Sequence, residues 1–224
     1  MSTPPARPSG VRSRLATSQA GPFRVALTFD AEHPDRPTEP DVHDRIIESL
    51  ARQGLRATFF VQGRWAQAFP DRARALARDG HLVGSHSFYH VRMPLLSPAG
   101  LENDVRRAER AIRDIARVDP RPWFRLPFGS GHAERRVTGG LGALGYRSIY
   151  WDVEGKEWRT RVTARTVAQE LVEGATARGD GAILLMHTWP RVMPAALDEA
   201  ITRLRDVGAT FVTIDALDAP GSGA

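Results

Sequence analysis

Apolar and polar residues form two recurring patterns along the chain: short apolar runs, and longer stretches with helical periodicity. The short runs are rich in β-branched and aromatic residues, and the first of them, residues 23–29, is almost continuously apolar. Such runs are typical of strands that are covered on both faces. They predict strands at residues 23–29, 56–61, 81–85, 122–125, 146–151, 181–186 and 210–214.

Longer amphipathic stretches separate these runs, and several carry helix end signals. Pro98 stands at the favoured first position of one stretch, and Gly80 follows another. The predicted helices span residues 41–52, 63–79, 97–118, 133–144, 163–177 and 193–207. Strands that alternate with helices indicate βαβ units and hence a parallel sheet. The pattern alone fits both a small closed barrel and an open doubly wound sheet.

The two ends of the chain lack this periodicity. Residues 1–21 are rich in Pro, Ser, Gly and Arg and predict a disordered tail, and residues 218–224 predict a flexible one. The folded domain is therefore expected over residues 22–217. No apolar core of a secretory signal follows the basic start, and no apolar run is long enough to span a membrane. On this basis we expect a cytoplasmic protein.

Composition narrows the classes of function. The chain has 224 residues, of which 42% are hydrophobic and 25% charged, as in an ordinary globular domain. It has no cysteine, which excludes a disulfide framework, a cysteine nucleophile and cysteine-type zinc sites. The formal net charge is +5, but acids are interspersed among the arginines in the manner of solvated helix faces. We therefore expect no nucleic-acid partner.

Reactive side chains follow five of the predicted strands. Ligands of parallel α/β folds lie at the carboxyl ends of the strands, so these side chains are expected to converge. They are Asp30, Glu32, His86, His90, Arg125, Asp152, Glu154, Glu157 and His187. Each one alone is more often a surface or core residue, and only their joint occurrence at strand ends predicts a site.

The spacing of two histidines suggests a metal. His86 and His90 are four residues apart, so both imidazoles can turn toward one ion. One of Asp30 or Glu32 would complete a His2Glu ligand set, and the other carboxylate could act as general base. A metal in such a set lowers the pKa of a water and polarises a carbonyl. His187 is suited to protonating the leaving amine of an amide.

These residues resemble the motifs of the polysaccharide deacetylases, the NodB-homology family also known as carbohydrate esterase family 4. The resemblance covers residues 23–217 and rests on five short motifs in order. They are Thr28-Phe-Asp30, His86-Ser-Phe-Tyr-His90, Arg125-Leu-Pro-Phe-Gly129, Trp151-Asp-Val-Glu-Gly-Lys-Glu-Trp158 and Leu185-Met-His187. The resemblance implies a distorted (β/α)7 barrel and metal-dependent hydrolysis of an acetamide on an N-acetylated amino sugar or a related small amide.

The resemblance also implies roles. Asp30 would be the base, oriented by Arg125, and His187 would be the acid, tuned by Glu154 or Asp152. The substrate pocket would be lined by Pro127, Phe128, Trp151, Trp158, Leu185 and Trp189. The implied cofactor is Zn²⁺, with Co²⁺, Ni²⁺ or Mn²⁺ as alternatives, and the implied partner is a saccharide or other small-molecule substrate.

One departure from the family concerns the first motif, which is usually Asp-Asp. Ala31 takes the second place here, and the Asp-x-Glu variant of the motif moves the ligand one residue on. Glu32 is therefore expected to bind the metal with His86 and His90. Two alternatives stay open: hydrolysis of another C–N bond, as in a formamide, an allantoin-like compound or a cyclic imide, and a saccharide-binding module that has lost catalysis.

Overall fold

The computed structural model describes residues 22–36, 39 and 41–218. The tails predicted from the sequence lie outside these residues, apart from Asp218, the last residue of the last helix. Within the described part of the chain, no helix combines the length and the apolar character needed to cross a membrane.

Strands alternate with helices through most of the described chain, as predicted. The strands are β1 (Phe23–Ala31), β2 (Thr58–Val61), β3 (Leu82–Ser85), β4 (Trp123–Phe124), β5 (Arg147–Ser148), β6 (Val153–Glu154), β7 (Ala182–His187) and β8 (Ala209–Val212). The α-helices are α1 (Val42–Arg52), α2 (Gly63–Ala68), α3 (Pro70–Arg78), α4 (Pro98–Ala116), α5 (Arg135–Ala143), α6 (Ala164–Arg178), α7 (Met193–Asp206) and α8 (Ile214–Asp218). Short 3₁₀ helices lie at Met93–Leu95 and Pro127–Gly129.

The strands form one parallel sheet centred on β1. Its order is β5-β4-β3-β2-β1-β7-β6, and β8 also pairs with β1. One edge of β1 pairs with β7, and the other edge pairs first with β8, over residues 23–26, and then with β2, over residues 28–31. Because β1 changes partner along this edge, the sheet curls into an irregular barrel-like surface. The predicted α/β class, a distorted (β/α)7 barrel, is thus confirmed.

Apolar packing on both faces fixes the position of β1. Eight of its nine residues are buried. Phe29 stacks on Phe59 of β2 with 5.0 Å between the ring centroids, and Ile46, Leu171 and Leu197 of the surrounding helices belong to the same core. Each fully buried side chain of this size contributes about 1.5–3 kcal/mol. The residues at the end of β1 are therefore held on a rigid base.

Two predicted elements differ from the structure. The helix predicted over residues 63–79 is divided into α2 and α3 at Phe69, whose φ is −127° and ψ is 61°. Pro70 follows directly, and the ring of a proline disfavours the helical conformation of the residue before it. The strand predicted over residues 210–214 ends at Val212, and α8 begins at Ile214.

The strand predicted over residues 146–151 is the third difference. Only Arg147 and Ser148 pair, as β5, and a second short strand, β6, follows and pairs with β7. The aromatic residues that predicted the longer strand lie between the two: Tyr150 and Trp151 stack with 4.2 Å between their ring centroids. Aromatic residues are typical of strands, but here the two rings stack on each other and their residues do not pair with a neighbouring strand.

Candidate active site

The sheet registers align the residues that follow four adjacent strands. The paired strand ends are Ala31 with Val61, Val61 with Ser85, and Ser85 with Phe124. The next residue of each strand therefore leaves the sheet at the same level; these are Glu32, Gln62, His86 and Arg125. On the other edge of β1, Asp30 pairs with His187. The register alone brings residues distant in sequence to one site.

Glu32, His86 and His90 form a compact buried cluster. The Nε2 atom of His90 lies 2.5 Å from Oε2 of Glu32, and Nε2 of His86 lies 3.2 Å from the same oxygen. Burial opposes the charge of Glu32, but hydrogen bonds with His33, His86 and His90 hold its pKa well below the usual range. The carboxylate is therefore ionised and shared between two imidazoles.

The loop that carries the two imidazoles is anchored from α4. Asp104, which is 2% exposed, accepts hydrogen bonds from the backbone N–H groups of Phe88 at 2.9 Å and Tyr89 at 3.0 Å. Ser87 and His90 adopt φ values of 63° and 58°, which are uncommon for residues other than glycine and often occur at functional sites. The backbone N–H of His90 also donates to Oγ of Ser87, at 2.9 Å. These contacts fix the tight turn that points both imidazoles at Glu32.

The cluster fits a divalent metal. Two imidazoles and a carboxylate are the donor set of many catalytic zinc sites, and their ligand atoms lie within 4.8 Å of one another. Nδ1 of His86 is 2.9 Å from the backbone carbonyl oxygen of Arg125 and can donate a hydrogen bond to it, so that Nε2 is free to bind an ion. Outer hydrogen bonds of this kind orient the imidazoles of metal sites.

Asp30, Glu32 and His187 make a second group with the same spacing. It offers two carboxylates and one imidazole, whereas the first cluster offers the two imidazoles and one carboxylate that are typical of catalytic zinc sites. The first cluster is therefore the better candidate for a metal centre.

Arg125 and Asp30 form a buried ion pair beside this cluster. Nη1 of Arg125 donates to Oδ1 of Asp30 at 3.0 Å, and Oδ2 of Asp30 lies 3.5 Å from Nε2 of His86. Burial lowers the pKa of Arg125, against the opposing effect of Asp30. Its guanidinium lies over the ring of Phe60, and its Nε and Nη2 atoms have no hydrogen-bond partner among the described residues. The pair holds the Asp30 carboxylate in one orientation.

His187 pairs with Glu157, a partner that the sequence did not identify. Nδ1 of His187 and Oε1 of Glu157 are 2.8 Å apart, and the backbone N–H of His187 donates to the same oxygen at 2.6 Å. Burial alone would lower the pKa of His187, but the hydrogen bond and charge of Glu157, with the charges of Glu32 and Asp30, raise it to about 9. The Nε2 atom faces the metal-ligand side, 3.9 Å from Oε1 of Glu32.

Glu154 and Asp152, the predicted partners of His187, are placed elsewhere. Oε1 of Glu154 accepts a hydrogen bond from Nε1 of Trp158 at 2.9 Å. Asp152 accepts from Nε of Arg178 and from the backbone N–H of Ile183, each at 2.9 Å. The prediction is corrected because Glu154, the last residue of β6, contacts Trp158, and the carboxylate beside His187 comes from Glu157, which follows Lys156 with its φ of 53°.

One cavity of about 370 Å³ is lined by Asp30, Glu32, His86, His90 and His187. Five of the six predicted pocket residues line it, namely Phe128, Trp151, Trp158, Leu185 and Trp189. The sixth, Pro127, is buried and begins the 3₁₀ turn that sets Phe128 at a φ of 58°. The expectation that Pro127 lines the pocket is therefore wrong.

Three further residues contact the metal-ligand side. Nε2 of His33 lies 3.1 Å from Oε1 of Glu32, and Oε1 of Gln62 accepts the backbone N–H of His33 at 2.9 Å. Arg36 also lines the cavity. His33 and Arg36 lie in the loop after β1, and the strand-end rule could have identified them. Gln62 could not be identified from the sequence, because a single amide side chain belongs to no motif with a characteristic spacing.

Comparison with known proteins agrees with these motifs. Residues 17–149 match the family model described as polysaccharide deacetylase. The peptidoglycan-N-acetylglucosamine deacetylase PgdA of Listeria monocytogenes is 34% identical over 194 residues, which cover 87% of this chain and 38% of PgdA. The chain therefore spans well under half the length of that relative.

Solved structures show the same architecture. A family 4 carbohydrate esterase from Streptomyces lividans, in complex with acetate, is similar with a TM-score of 0.73 and 28% identity, over 86% of this chain and 93% of the esterase. A second similar structure is described as a family 4 pseudoenzyme from Bacillus anthracis, with a TM-score of 0.78 and 27% identity over 88% of this chain and 65% of that chain. The fold therefore occurs with and without catalysis.

Proposed function

The chain belongs to the polysaccharide deacetylase family, and from this premise we propose that it is a metal-dependent N-deacetylase acting on the acetamide of an N-acetylated amino sugar. One observation carries the proposal: three groups with complementary chemistry meet at a single cavity. They are the Asp30–Arg125 pair, the His187–Glu157 pair and the cluster of Glu32, His86 and His90.

Glu32, His86 and His90 would hold the ion. When bound, a divalent metal would supply a Lewis acid for the acetamide carbonyl and would lower the pKa of a water molecule. Zn²⁺ suits a set of two imidazoles and one carboxylate, and Co²⁺, Ni²⁺ and Mn²⁺ are the alternatives. The low pKa of Glu32 favours the charged form that a ligand must have.

Asp30 would act as the general base. Its Oδ1 atom is held by Arg125, so Oδ2 is free to accept a proton from the attacking water. A positioned base of this kind contributes about 10²- to 10⁴-fold in rate. Arg125 is a positioning residue here, because its guanidinium orients Asp30 from within the core and does not line the cavity.

His187 would act as the general acid. Glu157 accepts from Nδ1, which directs Nε2 and its proton toward the cavity, and the raised pKa keeps the imidazolium charged near neutral pH. Water adds to the acyl carbon, the C–N bond breaks, and the proton from His187 goes to the departing nitrogen. The products are acetate and a free amine. Without this proton the amine would leave as an anion, which is unfavourable.

The walls of the cavity suit a single sugar ring. Its volume of about 370 Å³ lies near the lower end of small-molecule sites. Leu185 is buried at the end of β7 and offers an apolar contact for an acetyl methyl group. Trp158 and Phe128 are about half exposed, at 45% and 53%, and offer ring faces on which a sugar can stack.

The main alternative function is a saccharide-binding module without turnover. The similar structure described as a pseudoenzyme shows that this fold occurs without catalysis. The retained acid, base and ligand side chains favour catalysis. The test is release of acetate from N-acetylglucosamine oligomers by zinc-loaded protein. We expect acetate and free amine in equal amounts, loss of activity with a chelator, and its recovery with zinc.

The matched variants are His187→Ala and His132→Ala, the second of which removes an exposed imidazole outside the cavity. We expect only His187→Ala to lose turnover. Absence of acetate release from neutral and anionic N-acetyl sugars alike, with oligomer binding intact, would favour the binding module. Turnover of a formamide or a cyclic imide, without release of acetate from any sugar, would favour the other class of C–N hydrolase.

A further inference from the structure

We propose that a groove next to the candidate active site binds an anionic group, a carboxylate or a phosphate, carried by the N-acetylated sugar. This inference rests on the proposed function and narrows its substrate class. The groove has a volume of about 770 Å³. Its charged lining residues are Arg36, Arg159, Arg161, Arg191, Glu39 and Glu157. We call it the arginine groove.

The arginine groove adjoins the catalytic cavity, because Arg36 and Trp189 line both. Trp189 forms the boundary. Its Nε1 donates to Oε1 of Glu32 at 3.2 Å, and the guanidinium carbon of Arg36 lies 3.7 Å from its ring centroid. A ligand that reaches across Trp189 therefore passes from the metal-ligand cluster directly to a guanidinium.

The positive charge of the groove is largely uncompensated. Arg191 forms an ion pair with Glu39 at 2.9 Å, and Glu157 is hydrogen-bonded to His187. These two carboxylates are thus engaged. Arg36, Arg159 and Arg161 have no carboxylate partner among the described residues, and Arg159 and Arg36 contact the rings of Trp158 and Trp189. Three guanidinium groups at one opening favour a negatively charged ligand.

The chemistry of the substrate explains why an anion would lie there. Both ring carbons next to the acetamido carbon of an amino sugar carry oxygen, and either oxygen can bear a substituent. With the acetamide in the catalytic cavity, such a substituent begins beside the reacting group and can extend past Trp189. Guanidinium groups bind carboxylates and phosphates through paired hydrogen bonds. An ether-linked carboxylate and a phosphate at the anomeric carbon are the two sources of this charge.

Binding can be measured without turnover in an Asp30→Asn background. The ligands are N-acetylglucosamine, N-acetylmuramic acid with its carboxylate, and N-acetylglucosamine 1-phosphate, each titrated by calorimetry. We compare Arg159→Gln/Arg161→Gln with a control, Arg110→Gln/Arg135→Gln, which removes the same charge. The two control arginines are exposed on α4 and α5 and do not line the groove.

We expect at least one anionic ligand to bind about tenfold more tightly than the neutral sugar, and the groove variant to remove this advantage while the control keeps it. The Kd of the anionic ligand should also rise with added salt. The anionic ligand whose binding is weakened by the groove variant shows whether the groove binds a carboxylate or a phosphate. Equal binding of all three sugars, equal weakening by both variants, or no binding of any of the sugars would overturn the inference.

Acetate release, measured separately, distinguishes this inference from the proposed function. Release from the neutral sugar with no arginine effect on binding would leave the deacetylase standing and remove the subsite. Arginine-dependent binding without acetate release from any sugar would support the anion subsite and contradict the proposed deacetylase activity.

Discussion

The two sides of the cavity are built differently. On the proposed metal-ligand side, Glu32 and His86 directly follow strands in register, and Asp104 fixes the loop that carries His86 and His90. On the acid side, His187 ends β7, but its partner Glu157 comes from a loop between β6 and α6. The comparison teaches that the strand register places Glu32 and His86, whereas the partner of His187 depends on how one loop folds.

Asp30→Asn gives the largest expected effect, because Asp30 lies between the two sides. It contacts His86 on one side and pairs in register with His187 on the other. The amide cannot take a proton, so we expect kcat to fall by about 10²- to 10⁴-fold. The zinc content should stay unchanged, since Asp30 is not in the preferred ligand set. A variant that lost zinc and activity together would show that Asp30 belongs to the metal site.

Glu157→Gln breaks the acid side alone. We expect kcat to fall by about 10- to 100-fold, less than for loss of the base, because His187 itself remains. The pKa of His187 should fall without the charge of Glu157, so activity should be lost at a lower pH on the basic side of the profile. The matched variant Glu154→Gln should keep the wild-type pH profile. If Glu154→Gln shifted the profile and Glu157→Gln did not, the pairing seen here would be wrong.

Asp104→Ala tests the anchoring of the metal-ligand side. The variant leaves the buried N–H groups of Phe88 and Tyr89 without their acceptor, and we expect a loss of about 2 kcal/mol in unfolding free energy. The folded variant should also bind zinc more weakly, because the loop that carries His86 and His90 is freed. Urea unfolding and zinc titration measure the two effects. Unchanged zinc affinity in a destabilised variant would limit Asp104 to a structural role.

The smallest expected effect concerns His43, which lines neither the catalytic cavity nor the arginine groove. Burial between Phe59 and Trp65, followed by the effect of Arg72, lowers its pKa to about 4, while Asp44 opposes and His81 adds to the shift. A histidine with a depressed folded pKa takes up its proton more readily when unfolded, so stability should decline as the pH falls from 6.5 toward about 4.

His43→Leu should make this decline shallower and leave zinc binding unchanged. Thermal unfolding of both proteins across that pH range measures the effect. An unaltered pH dependence in the variant would mean that folding does not lower the pKa of His43.

The sequence predicted the α/β class and the residues at the ends of β1, β3 and β7, because apolar runs and short motifs are local signals. Pro70 is a local signal that could have predicted the division of helix 63–79, whereas the short β6 could not be predicted, because it is defined by pairing with β7. Glu154 and Glu157 are three residues apart in one acidic segment, and their directions depend on the backbone at Lys156, whose φ is 53°. The arginine groove was not predicted either, since Arg36 comes from the loop after β1 and the other two arginines, Arg159 and Arg161, come from the loop between β6 and α6.

The central claim is that Glu32 completes a metal site with His86 and His90. Calorimetric titration of metal-free protein with Zn²⁺ tests it most directly, with Glu32→Ala compared against Asp30→Asn. We predict one zinc per chain in the wild type and in Asp30→Asn, and loss of this binding in Glu32→Ala. Full zinc binding by Glu32→Ala, with the fold confirmed by circular dichroism, would contradict the account.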